Sequence, residues 1–284
     1  MRRTLVIATL LAASAALAFL ACDEMGTVVP PADASPPDAQ TTEAAAPEQD
    51  ASVDGGADAV EEAALSDACG PGPWVTLGIV VVALDLSNPD GSLLPGAQFT
   101  SPLCPGLVKV SDEGGAIEGL ISKDTPFYGR LQATGYIPEL APEEVFDADS
   151  TGNRIELLPA ILAGLLPGYA ADASAIVVAA EKTQSDAGAC SSLDGISLGV
   201  VGHPEARVTY FGAGPVPAPV PDASATTARG FAALTGLTGT APGELVTLSA
   251  TKPGCNVVFA RGPVTGRVPL ENGSVSLMPA YLTP

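Results

Sequence analysis

Glycine and proline cut the chain beyond Cys69 into short runs, and no other feature constrains the fold as much. The sequence holds 31 Gly and 27 Pro. A proline inside a helix removes a backbone hydrogen bond and clashes with the preceding turn, and an interior glycine costs about 1 kcal/mol relative to alanine. Between these breaks lie stretches such as Ile79-Val80-Val81-Val82-Ala83-Leu84 and Ile176-Val177-Val178-Ala179-Ala180. Short β-branched runs bounded by Gly, Pro, Asn and Asp read as strands. Hydrophobic residues make up 46% of the chain, enough for a packed core. The expected fold class is all-β: two tandem antiparallel β-sandwiches after a disordered linker, with a short helix between them.

The order of the runs suggests a duplication. In the first cycle, Ile79–Leu84 reads as a strand buried on both faces, Asn88-Pro89-Asp90-Gly91 as a turn, and Ala97–Phe99 and Leu107–Val110 as short strands. Asp112-Glu113-Gly114-Gly115 is a tight turn. Ala116–Ile121, Tyr128–Thr134 and Ile155–Leu158 complete the set. In the second cycle, Ile176–Ala180 answers the first strand and Gly195–Val200 answers Gly96–Phe99. Gly230–Leu234 answers Gly115–Leu120, and Leu245–Thr251 answers Gly129–Thr134. A longer interval in the second cycle places an insertion at the Pro-rich Gly212–Pro221. Ala160–Leu166, set between Pro159 and Pro167-Gly168, has the punctuation of a short helix; its apolar character predicts packing at the junction of the two cycles.

Three of these segments carry a resemblance. Pro95-Gly96-Ala97, then Asp112-Glu113-Gly114-Gly115, then Tyr128-Gly129-Arg130-Leu131-Gln132-Ala133-Thr134-Gly135-Tyr136, in that order, resemble the carboxypeptidase regulatory-like domain. The second cycle is similar but looser: Arg229 precedes the turn glycine without an acid, and Cys255 follows Gly254 where the first cycle has Tyr136. The resemblance implies transthyretin-like, or Ig-like, sandwiches, found in exported and often cell-surface accessory or adhesive modules, and it implies no peptidase activity. On that division, Cys69 pairs with Cys104 and Cys190 with Cys255, one bridge in each copy. Four cysteines allow three connectivities, and the sequence alone does not choose among them.

The N-terminal part reads differently. Arg2 and Arg3 precede an apolar run from Leu5 to Leu20, which closes on Phe19-Leu20-Ala21-Cys22. A run this short with a basic flank is a secretory signal, not a membrane span. Its last four residues resemble a bacterial lipobox, with Phe19 where leucine is usual, so Cys22 is the expected lipid attachment site. The other four cysteines are then an even number in an oxidising compartment. From Asp23 to Ala68 there are twelve acids, no Lys or Arg and no aromatic residue. Such a segment buries too little apolar surface to offset its ordering entropy, and reads as a disordered tether. It would span roughly 40 Å as a coil. The expected organisation is a lipoprotein signal peptide at 1–22, the acidic Pro/Ala-rich tether at 23–68, a first sandwich at 69–158, a connector at 159–173 and a second sandwich at 174–284.

Several residues invite a chemical reading. The net charge of −20 with only 12 Lys and Arg argues against nucleic acid, which needs clustered bases. A single histidine, His203, argues against most zinc hydrolases and His-based triads. Ser249-Ala250-Thr251-Lys252 has the S-x-x-K spacing of acylating hydrolases but lacks the S-D-N and K-T-G partners. Asp147-Ala148-Asp149-Ser150-Thr151-Gly152 resembles the opening of a calcium loop, but the position of the bidentate glutamate is Leu158. The four downstream cysteines lack the C-x-x-C spacing of a metal site. Trp74, Phe127, Tyr128, Tyr136, Tyr210 and Phe211 could make a sugar-stacking platform or pack a core. The chain has no G-x-S-x-G, P-loop or G-x-G-x-x-G. The expectation is therefore a membrane-anchored envelope lipoprotein with no catalytic residues, no metal and no cofactor. It would act in binding or adhesion toward an envelope protein or glycan, with a structural spacer or a carbohydrate-binding module as alternatives.

Overall fold

A computed structural model describes residues 68–85, 88–182, 188–213, 218–239 and 243–284. The signal segment, Cys22 and the tether up to residue 67 lie outside the described residues, as do residues 214–217 of the Pro-rich insertion.

In the first half the strands are β1 (Ala68–Cys69), β2 (Trp74–Asp85), β3 (Asn88–Leu93), β4 (Gln98–Ser101), β5 (Cys104–Val110), β6 (Ala116–Ser122), β7 (Pro126–Phe127), β8 (Arg130–Gln132), β9 (Glu139–Leu140), β10 (Glu144–Val145) and β11 (Ser150–Leu157). In the second half they are β12 (Ser174–Lys182), β13 (Ser197–Val200), β14 (Arg207–Tyr210), β15 (Phe231–Leu237), β16 (Glu244–Thr251), β17 (Asn256–Val258), β18 (Arg267–Leu270) and β19 (Val275–Thr283). The fold is all-β, with 3-10 turns at Ala160–Leu165 and Gly188–Ser191. Asn88–Gly91 is not the expected turn: these residues open β3, which folds back on β2 with Asn88 opposite Asp85. No described helix is long and apolar enough to cross a membrane.

The two halves share a wiring. In the first, β2 lies between an antiparallel β6 and a parallel β11. In the second, β12 lies between an antiparallel β15 and a parallel β19. The facing layers match as well, with β4–β8–β9 in one and β13–β16–β18 in the other, all antiparallel. The parallel closing strands make these sheets mixed, where the sequence pattern suggested antiparallel pairing throughout. One bridge falls in each half, Cys69–Cys104 and Cys190–Cys255.

One sheet of nine strands runs through both halves, in the order β14-β15-β12-β19-β9-β8-β4-β5, with β17 also on β19. The halves join where β9 pairs in parallel with the start of β19, Glu139 opposite Val275 and Leu140 opposite Ser276. Residues opposite one another in a sheet share a face. Phe99, Leu131, Glu139, Val275 and Ala175 therefore form one row, and Thr100, Arg130, Leu140, Ser276, Ile176 and Leu234 form the next row on the other face.

The cores follow these rows. On the first face, Phe99 and Leu131 pack with Val81, Ile117 and Leu157 of the first half, while Val275, Ala175 and Val177 pack under Ile137, Leu166 and Phe211. On the second face, Ile176 and Leu234 pack with Val246, Leu248, Val268 and Met278. The two sandwich cores thus lie on opposite faces of one shared sheet. The connector's 3-10 turn contributes Ala163 and is followed by the buried Leu166, but Ile161 is 90% exposed, so the apolar run there is not uniformly packed.

Candidate functional site

The second face of the first half's strands is not covered by a core, and polar side chains meet there and along the seam between the halves. Arg130 on β8 is ion-paired with Glu271 across the seam at 2.7 Å. It also donates to the Gln132 side-chain oxygen, and Gln132 Nε2 donates to Gln98 Oε1 at 2.8 Å. These polar side chains form one chain of contacts, in which Arg130 Nε is held by the Glu271 charge and not by an aligned hydrogen bond.

A second polar contact closes the seam. Residues 143–145 run against 263–267: the Glu143 N–H donates to the Arg267 carbonyl at 3.0 Å, the Thr265 N–H to the Glu143 carbonyl at 3.0 Å and the Val145 N–H to the Pro263 carbonyl at 2.7 Å. This brings the Glu143 carboxylate under the Arg267 guanidinium, with Thr265 Oγ1 donating to the same carboxylate at 2.8 Å. Beside it, the Tyr128 hydroxyl donates to the Gly243 carbonyl at 3.3 Å. Burial raises the Tyr128 pKa above that of an ordinary phenol, and the charges of Glu143 and Glu271 add to the shift.

Glu139 lies in the row between the two core clusters of the first face. Burial pushes its carboxyl up to about 8, and the nearby Glu156 charge adds to the effect. Glu156 itself is paired with Arg154 at 3.0 Å. Next to the seam, Thr247, Leu248, Phe259, Ala260 and Arg267 line an open cleft of about 320 Å³. Its one charged group, Arg267, is already neutralised by Glu143.

The residues singled out in the sequence do not converge on a site. His203 sits in the turn after β13, its Nδ1 2.9 Å from Glu205 Oε1. The Glu205 carboxyl is lowered by its own backbone N–H first and by His203 second. Ser249 is exposed in β16, whereas the Lys252 ammonium turns to the 192–194 loop and donates to the Ser192 carbonyl at 3.1 Å and to the Asp194 carbonyl. Asp149 accepts the Thr76 N–H at 2.7 Å and so caps the end of a ladder. Among the described residues, no three His, Cys, Asp or Glu side chains gather where they could hold a metal ion.

The aromatic residues are dispersed in the same way. Phe127, Tyr128, Tyr210 and Phe211 are buried, and the Tyr210 hydroxyl accepts the Leu198 N–H at 2.9 Å. Tyr136 is half-buried, and only Trp74, at 37%, stays well exposed, with its Nε1 donating to the Gly70 carbonyl. Sequence reasoning did not find the seam residues, because Glu143 and Arg267 lie 124 positions apart and neither belongs to a motif.

No family model matches the chain, and no curated protein matches it. Among solved structures, it is similar to the Bacillus anthracis TIE protein at 14% identity, covering 73% of this chain and 34% of that one, with a TM-score of 0.23. It is also similar to GBS52, the minor pilin of the gram-positive pathogen Streptococcus agalactiae, at 12% identity, covering 74% and 97%, with a TM-score of 0.21. A third is the shaft pilin SpaA of Lactobacillus rhamnosus GG, at 10% identity, covering 75% and 99%, with a TM-score of 0.22. The chain thus spans about a third of the length of the first of these. The class of the protein, an all-β sandwich, rests on its own strands and cores.

Proposed function

We propose that this is an exported envelope lipoprotein, anchored through acylated Cys22, that carries its sandwiches on the acidic tether in a non-catalytic binding or adhesive role. In this reading the sandwiches are carboxypeptidase regulatory-like repeats at 69–158 and 174–284, joined by the connector at 159–173, and the partner is an envelope protein or glycan. The observation that carries it is the cysteine pattern. Two bridges use Cys69, Cys104, Cys190 and Cys255, which leaves Cys22, at the end of an apolar leader, as the one cysteine outside them. Several acyl chains on one residue anchor stably, since each buried methylene contributes about 0.8 kcal/mol. The non-catalytic part draws support from His203, Lys252 and Asp149, which are each engaged in bonds that hold turns or strand ends.

A spacer role is the second reading, favoured by the burial of Phe127, Tyr128, Tyr210 and Phe211, which removes four of the six aromatics from any glycan platform. The anchor is tested by expressing the Cys22→Ser chain in a bacterial host supplied with labelled palmitate. Release from the membrane fraction with loss of label is expected; a variant that stays membrane-bound and labelled overturns the reading.

A further inference from the structure

We infer that residues 174–284 form a clamp built to resist tension, a mechanical property that goes beyond binding and whose measurement does not require the lipid anchor. The geometry that carries this is the direction of the first and last strands of that half. β12 and β19 run side by side in parallel, in register from Ala175 opposite Val275 to Lys182 opposite Leu282, without a bulge. The chain enters this half at the start of β12 and leaves it at the end of β19. These two points lie at opposite ends of the parallel pair. A pull between these two points slides one strand along the other and loads the hydrogen bonds between them together; in the whole chain it does so once the β9–β19 pairing has parted. If the strands were antiparallel, the same pull would peel them apart one bond at a time.

Two further features strengthen the clamp. The pair is central in its sheet, with β15 beyond β12 and with β9 and β17 beyond β19. Its inward side chains are sealed from water: Ile176, Val178, Met278 and Ala280 are each at most 1% exposed. A hydrogen bond shielded in this way has no water to exchange with as it stretches, so it opens only when the strands slip. The Cys190–Cys255 bridge lies inside the stretch from β12 to β19 and outside the line of load. It does not reinforce the clamp, but it holds back the residues between its cysteines after the clamp releases. The first half repeats the parallel arrangement with β2 and β11. There the Cys69–Cys104 bridge also ties the point of load to β5, so the load is divided.

The test is single-molecule force spectroscopy on the chain from residue 23 onward, pulled in two directions. One pull runs end to end. The other runs between an azide-bearing residue at position 182 and the C-terminal end, which lie at the same end of the β12–β19 pair and so peel it. The event belonging to this half is recognised in the end-to-end pull because reduction of its bridge, with a separation of 65 residues, lengthens the release by about 220 Å. The expected result is a release force at least about threefold higher end to end than in the peeling direction at equal loading rate. Equal forces in the two directions, or the absence of an event that lengthens on reduction, overturn the proposal. The Cys22 fractionation result leaves this measurement unaffected in either case.

Discussion

Arg267 holds the carboxylate of Glu143 with two prongs, Nε to Oε1 at 2.8 Å and Nη2 to Oε2 at 2.5 Å, across the seam between the halves. The pair is lopsided: the Glu143 side chain is 3% exposed and that of Arg267 47%. Removing the arginine strands a buried charge, whereas neutralising the glutamate leaves a cation that water can reach. Arg267→Met is expected to lower the unfolding free energy by about 2–4 kcal/mol and Glu143→Gln by about 1 kcal/mol, both read from urea denaturation. Equal losses for the two variants would contradict the lopsided burial.

Glu139 makes the fold sensitive to alkali. Its folded carboxyl titrates at about 8, against 4.5 for an unperturbed glutamate. The folded state therefore keeps a proton that the unfolded state loses, and stability from this group is complete below pH 4.5 and is lost as pH rises through 8. The side chain keeps some solvent contact, which holds the effect below the full shift. Between pH 5 and 9 the loss is on the order of 2 kcal/mol. Glu139→Gln should flatten that decline in a pH series of thermal melts, while leaving stability near pH 5 within about 0.5 kcal/mol of the parent.

Gly129 has no room for a side chain, because a Cβ there would run into the ring of Phe99 in the first core. Phe99 is itself packed at a tilt against Phe127, ring centroids 6.1 Å apart, so it cannot retreat without opening the core. Gly129→Ala is expected to cost about 1–3 kcal/mol through overpacking. The double variant Gly129→Ala with Phe99→Leu should recover part of the loss, and a strictly additive double mutant would argue against the contact.

The two bridges should contribute similarly. Their separations of 35 and 65 residues each correspond to about 4 kcal/mol on the loop-entropy account. Double Cys→Ser variants at either bridge should lower the melting temperature by at least about 8 °C. A variant without a measurable shift would show that its bridge closes a loop already ordered in the unfolded chain.

Asp149 serves the strand ladder through its bond to the Thr76 N–H. Asp149→Ala leaves the Thr76 N–H without its acceptor and should cost about 1 kcal/mol. Millimolar calcium should leave the melting temperature of the parent unchanged; a rise of several degrees would restore the calcium reading of residues 147–152.

The long strands β2 and β12 were legible because both of their faces are buried, and their sequences accordingly show unbroken β-branched runs. The closing strand β19 was not, because Pro279 sits in the middle of it and a proline argues against a central strand. The structure shows how it fits. Among the described residues, no strand pairs with Leu277–Ala280 on the side away from β12, because β9 pairs only with Val275 and Ser276 of β19 and β17 only with Tyr281–Thr283. Pro279 falls in that gap. Pro269 and Pro105 likewise lie on strands at the margins of their sheets. The Asn88–Gly91 segment was misread because turn-forming residues here open a strand. The seam was invisible in sequence because ion pairs between distant loops leave no periodic trace.

The joining of β9 to β19 also bears on how the protein could be divided. Each of these strands, taken alone, would present a row of unsatisfied amide and carbonyl groups, the feature that nucleates aggregation of exposed sheet edges. Together they conceal it from one another. Fragments cut within the connector would uncover that margin along with Ile137 and Val275, so either piece made separately should associate with itself, while the uncut chain stays monodisperse.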